Sequence, residues 1–258
     1  MNQDPFPNNS VTTIPITNVV SWTKEGGNSR LFLPPIQRSV VWRNSQIINY
    51  WDSLLRGYPA GLMMVHRPKA DADRARTTDG HTRAVRTSDF QLFDGQQRLT
   101  AILLGLGEGP LKDRLKLWVD LGIPTPADSE LQFVLRISSV GQPFGYQTQS
   151  PNEKQPLRKR RDKATEWMER PGNNGRFDSK RVFDDPTGNW LIDAQCAVPL
   201  SRMAQMHTKA EVANFLNTHY PDIPKDRIDS FVFALTRALS TPVLFQLIDK
   251  AVIESENE

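Results

Sequence analysis

A single cysteine, Cys196, serves the whole chain. It excludes an internal disulfide framework and accords with a reducing cytoplasm as the expected location. No apolar run approaches the roughly 20 residues that cross a bilayer, so no membrane partner is expected. The opening stretch, Met1-Asn-Gln-Asp-Pro-Phe-Pro-Asn-Asn-Ser10, has neither a basic flank nor an apolar segment and does not read as a secretory signal. Histidine is scarce: His66, His81, His207 and His219 are scattered, without the spacing of a His-Asn-His nuclease or a zinc site. Neither sign of charge dominates. A net charge of +3 with a pI near 9.0 permits nucleic-acid binding without demonstrating it.

What is present supports a folded α+β protein. With 258 residues, 38% hydrophobic and 24% charged, the chain can bury a substantial core and is not disordered wholesale. Ile47, Ile48, Trp51, Leu54 and Leu55 share a helical face over 44–56, with Asn44 or Ser45 as its expected cap and Gly57 and Pro59 after it. Apolar runs at 62–66, 89–93, 115–120 and 131–137 read as strands. Between the first two lies 67–88, rich in charge and small residues. Further on, a helix is expected over 160–169, and Thr208-Lys-Ala-Glu211 is a capping-box pattern. Pro224 opens a helix lined by Ile228, Phe231, Val232, Leu235 and Leu239, and 241–248 returns to strand character. The expected organisation is a flexible tail over 1–12, a core over 13–147 with a mobile insertion at 67–88, and a linker over 148–159. A mainly helical region over 160–258 then ends in the returning strand.

The chemistry concentrates in Phe93-Asp94-Gly95-Gln96-Gln97-Arg98-Leu99-Thr100, between two apolar runs. That order reads as strand, tight turn, helix. Glycine lets a ligand approach the backbone, the first N–H groups of the helix favour an anion, and Arg98 offers a planar fork for phosphate. A second amide-arginine pair stands at Gln37 and Arg38, after the extended Pro34-Pro35. Two guanidinium groups meeting in one cleft suit a polyphosphate, with Gln37, Gln96 and Gln97 as neutral hydrogen-bonding groups. Asp94 is placed to hold Mg²⁺ through water or to polarise an attacking water. The plain alternative is an ordinary turn, with Arg98 paired to Asp94 or Asp94 capping the helix. The basic run Arg158-Lys-Arg-Arg161, beside Lys154 and Lys163, reads as a solvated linker entering a helix, with a DNA contact as its alternative.

Four segments together resemble the N-terminal domain of the GmrSD family of DNA-restriction proteins. They are Leu33-Pro-Pro-Ile-Gln-Arg-Ser-Val-Val-Trp42, Ser53-Leu-Leu-Arg-Gly-Tyr-Pro-Ala-Gly61, Leu92-Phe-Asp-Gly-Gln-Gln-Arg-Leu-Thr100 and Leu135-Arg-Ile-Ser-Ser-Val-Gly-Gln-Pro-Phe-Gly-Tyr146. In the last, histidine is common in the family where this chain has Gln142. The resemblance implies a ParB/sulfiredoxin-like mixed sheet with flanking helices, and nucleotide binding and hydrolysis at the Asp-Gly-Gln-Gln-Arg box. It nominates Asp94, Gln97 and Arg98 as catalytic, Asp94 as the metal ligand, and Gln37, Arg38, Gly95, Gln96 and Arg98 as contacts to a nucleoside triphosphate with Mg²⁺. It implies a sensor role in restricting foreign DNA, with DNA and a separate nuclease domain or subunit as partners. A non-enzymatic DNA-binding module on the same fold is the alternative. Sulfiredoxin chemistry is not expected, because Gln96 stands where that reaction needs a thiolate. Family members continue into a Phe-x-Arg-x-Asn-x-x-Gly-x-x-Leu box that Phe245 to Glu258 do not contain, so a fragment, split subunit or truncated copy is expected.

Overall fold

The computed structural model of the protein describes residues 6, 11–23, 30–33, 42–68, 74–76, 82–125 and 131–248. In chain order the elements are β1 (Val11–Pro15), α1 (Ile16–Thr23), β2 (Leu31–Phe32), α2 (Asn44–Leu55), β3 (Leu62–His66), β4 (Arg74–Arg76), β5 (Thr82–Ala84), β6 (Phe90–Asp94) and α3 (Gln96–Gly105). There follow β7 (Leu115–Asp120), β8 (Val134–Ser139), α4 (Leu157–Glu169), α5 (Ser179–Asp184), β9 (Ala197–Pro199), α6 (Leu200–Ala204), α7 (Lys209–His219), α8 (Lys225–Ser240) and β10 (Pro242–Leu247). The architecture is α+β. No helix among the described residues is long and apolar enough to cross a membrane.

The main sheet is mixed, in the order β1-β10-β3-β6-β2. The returning strand β10 runs antiparallel to β1 and parallel to β3, so a distant part of the chain supplies an interior strand. One face of the sheet is apolar by strand alternation: Val243 and Phe245 of β10, Met63 and Val65 of β3, and Phe90 and Leu92 of β6 are all buried. They join one core with α1, α2, α3 and α8. A second sheet, β8-β7-β9, is antiparallel throughout, and β4 and β5 form a separate hairpin. The strand expected at 131–137 is β8, over Val134–Ser139, and neither it nor β7 belongs to the main sheet.

α3 is apolar almost all round, and Leu99 through Gly105 are buried, which places it at the centre of the molecule. α2 crosses it closely. The Trp51 indole donates to Ala101 O at 2.7 Å, and its ring lies so near Gly105 that a Cβ there would stand 2.0 Å from Cζ2. Asp52, also buried on α2, accepts from Gln132 N at 2.6 Å and from Arg56 Nε at 2.7 Å, tying the approach to β8 onto this helix.

Several local expectations change. Phe6, in the expected tail, is buried edge-on against Phe90 at 5.2 Å, and β1 already begins at Val11. The rest of 1–10 and residues 69–73 and 77–81 of the expected insertion lie outside the described residues. Arg43 replaces Asn44 or Ser45 as the N-cap of α2, with Gln46 Oε1 accepting from its N–H at 2.9 Å. Asn44 instead donates to Pro151 O, while Ser45 and Asn152 exchange two hydrogen bonds. Part of the expected linker is thus fastened to α2. Its end is helical too, since α4 starts at Leu157.

Candidate functional site

The turn between β6 and α3 is built on Gly95, whose φ of 100° is open to glycine and strained for other residues. Close approach reinforces that choice, since a Cβ on Gly95 would stand 2.8 Å from Met63 Cγ. Gly95 is the N-cap of α3 and has no side chain to cap it with, and no described side chain is seen to accept from the first N–H groups of the helix. Asp94 therefore does not act as the cap, and the start of a central, buried helix faces the turn without a carboxylate on it.

The side chains that follow point to separate surroundings. Gln96 is 8% exposed, and its Nε2 has no hydrogen-bond partner among the described residues. A buried amide left unpaired costs about 1–3 kcal/mol, which an acceptor on a ligand would recover. Gln97 Oε1 accepts from Trp42 N at 3.2 Å, joining α3 to the segment ahead of α2. Arg98 Nη2 donates to Asp94 Oδ2 at 2.8 Å, and Nη1 lies against Gly61, the residue before β3. The ion pair expected of an ordinary turn is therefore present. It is also weak: Asp94 is 61% exposed, and exposed pairs are worth about 0.2–1 kcal/mol. A phosphate can displace such a carboxylate at little cost.

Tyr50, on α2, closes one side of this group. Its hydroxyl donates to Ala60 O at 2.8 Å, and its ring meets Trp42 edge-on at 5.5 Å. Burial pushes the phenol well above its ordinary pKa, with the Arg98 charge opposing. Trp42 and Gly61 occur in the quoted boxes but carried no assigned role. Tyr50 gave no signal, being one polar position on an amphipathic helix.

The fourth box forms the end of β8 and the turn after it. Arg136 and Asp120 are both buried, with Nη1 donating to Oδ2 at 3.4 Å and Nη2 to Ile192 O. Asp120 also accepts from the N–H groups of Cys196 at 2.9 Å and Gln195 at 3.2 Å. Burial lowers the Arg136 pKa, opposed by Asp120. Gln142 is 9% exposed, and its Oε1 is without a partner among the described residues. Its N–H donates to Ser139 O at 2.9 Å, and Gly145 takes φ 82°.

The family described as GmrSD restriction endonuclease, N-terminal domain, matches residues 18–217. The chain belongs to this family. No curated protein matches it. Membership gives this GmrSD N-terminal domain a place in a restriction system. The match takes in the β6–α3 turn, α2 and both β7 and β8, yet stops short of α8 and β10. The sheet that carries Asp94 therefore depends on residues beyond the matched span. Of the nominated residues, Asp94, Gly95, Gln96, Gln97 and Arg98 form the turn itself. Gln37 and Arg38 lie outside the described residues, and with them the expected meeting of Arg38 and Arg98. Among the described residues, no three His, Cys, Asp or Glu side chains gather as a metal site.

Proposed function

We propose that this GmrSD N-terminal domain binds a nucleoside triphosphate with Mg²⁺ at the β6–α3 turn and serves as the nucleotide-hydrolysing sensor of its restriction system. The observation that carries the reading is the glycine-led start of α3, uncapped by any described side chain, with Arg98 held beside it by Gly61 and Asp94. Helix N–H groups, a permanently charged fork and a close backbone approach are what a polyphosphate needs. The buried Gln96 amide supports it, because that donor has no acceptor among the described residues and a phosphate oxygen would supply one.

In this reading Gly95 admits the phosphates, Gln96 donates to one of them, and Arg98 exchanges Asp94 for phosphate oxygen. Asp94, once released, is free to hold Mg²⁺ through water or orient the attacking water, with Gln97 beside it. Mg²⁺ supplies neutralisation of phosphate charge when bound. Gln37 and Arg38 complete the phosphate contacts by their place in the first box. A nuclease domain or separate subunit is the effector that the sensor controls.

Titration of the full chain with a fluorescent ATP or GTP analogue in Mg²⁺ tests the site. Arg98→Ala is expected to lose about tenfold or more in affinity, and Arg98→Lys, which keeps charge without the fork, to recover only part of it. Unchanged affinity in Arg98→Ala removes the assignment. The non-enzymatic alternative, the same surface gripping DNA, predicts duplex binding lost in Arg98→Ala and no response to nucleotide.

A further inference from the structure

Between residues 154 and 181 there are ten Lys and Arg against four Asp and Glu, while the whole chain carries only +3. The remaining residues are thus net negative, and the basic charge is local. This segment stands between β8 and β9 and has a small core of its own, Phe144, Trp167, Val182, Trp190 and Ile192.

The cations divide by what they touch. Lys159, Lys163 and Lys180 are neutralised by Asp193, Glu166 and Asp184, each at 2.7 Å. Arg170 lies over the Trp190 ring at 4.1 Å and Arg181 over Trp167 at 5.8 Å. Arg158 and Arg161 are exposed on the outer face of α4, and neither side chain makes a hydrogen bond or ion pair with a described residue. Their placement opposes the helix electrostatics. The first turn of α4 holds Arg158, Lys159 and Arg160 with no acid, and its last turn holds Glu169 with no base. Folding alone favours the reverse order. Packing does not account for these arginines either, since Trp167 is the only buried residue of α4.

The surroundings narrow the partner. Leu157 is the one large apolar side chain exposed on α4, too little to enter a lipid surface. A row of stacking rings for a single strand is lacking in this segment as well: Trp167 and Trp190 are buried under arginines, and Phe177, the one ring exposed at 42%, packs against Phe144 at 5.6 Å. Arginine forks without stacking rings suit the phosphates of a double helix.

We infer that the outer face of α4, through Arg158 and Arg161, is a docking surface for duplex nucleic acid that grips the backbone without reading sequence. It stands independently of the nucleotide reading, because neither arginine touches Arg98 or its neighbours. Fluorescence anisotropy of the full chain with a labelled DNA duplex, over a series of KCl concentrations, tests it. Wild type is expected to bind random duplexes alike, with affinity falling steeply as salt rises. Arg158→Ala/Arg161→Ala should lose about tenfold or more and flatten the salt slope by about 2. Its melting temperature should not fall, since neither side chain is partnered in the fold and both stand against the helix dipole. Arg98→Ala should bind duplex as wild type does. No duplex binding by wild type, or an α4 variant that binds as wild type, overturns the proposal. So does loss in Arg98→Ala alone, tighter binding of a single strand, or equal displacement by polyglutamate, which would indicate an acidic protein partner.

Discussion

Arg98 Nη1 stands 2.7 Å from the point where a Cβ on Gly61 would be. Gly61, at φ 86°, therefore leaves a seat for the guanidinium just before β3, while Asp94 holds its other nitrogen from the end of β6. Two adjacent strands of one sheet fix a side chain that belongs to a third element, α3. The arginine is aimed by the sheet, not by its own helix.

Gly61→Ala is expected to destabilise the fold by roughly 1–3 kcal/mol, since alanine tolerates that φ poorly. It should also unseat Arg98 and weaken nucleotide binding. Urea unfolding beside a nucleotide titration checks both. Wild-type stability and affinity in the Gly61→Ala variant contradict the seat.

At Gly105 the conflict is with an indole. Gly105→Ala forces the new methyl into Trp51, so α2 and α3 must separate, at a cost of roughly 1–3 kcal/mol. A fall in the urea midpoint with an unchanged m value is the expected signature. Trp51 fluorescence reports whether the indole still donates to Ala101 O.

Asp120→Ala leaves the Arg136 guanidinium buried beside an empty site and releases the N–H groups of Gln195 and Cys196. A loss of about 3–5 kcal/mol is expected, as for other broken buried pairs. The double change Asp120→Ala/Arg136→Met should cost less than Asp120→Ala alone, because the stranded charge is gone. Thermal unfolding of both variants beside wild type decides it. A double variant worse than Asp120→Ala contradicts the account.

Tyr50 contributes to the alkaline limb of stability. Burial raises its folded pKa above the ordinary phenol value of 10.0, so near and above that pH the unfolded chain releases a proton that the folded chain retains. Its contribution is fully present below pH 10 and is lost as pH climbs toward the raised value. Tyr50→Phe should flatten the decline by about one proton. Unfolding free energies measured from about pH 9 upward test this, and an unchanged slope contradicts it.

Elements with a long period were legible in the sequence. The faces of α2 and α8 follow i, i+3, i+4 spacing, β7 occupies the expected 115–120, and Thr208 Oγ1 accepts from Glu211 N as the capping pattern requires. β9 was not legible, because three residues carry no period and Ala197–Pro199 is a strand only by pairing with β7. Nor was the division into two sheets, since pairing partners are not written in a strand's own residues. At the site, the order strand, glycine, helix was readable from Phe90 to Gly105. Its walls were not: Tyr50 and Gly61 reach Arg98 through tertiary contacts. Asp120 and Arg136 escaped notice for a related reason, each being a polar residue in an apolar strand until register sets them face to face.

β10 lies between β1 and β3, although nearly the entire chain separates it from β1. During synthesis, the edge of β3 stays open and β1 has no partner in the sheet until residues 242–247 leave the ribosome. The platform beneath Asp94 and Arg98 is thus completed only after residues 242–247 have been made. A chain that stops before residue 242 cannot complete this sheet, so its β6–α3 turn stands on an unfinished platform.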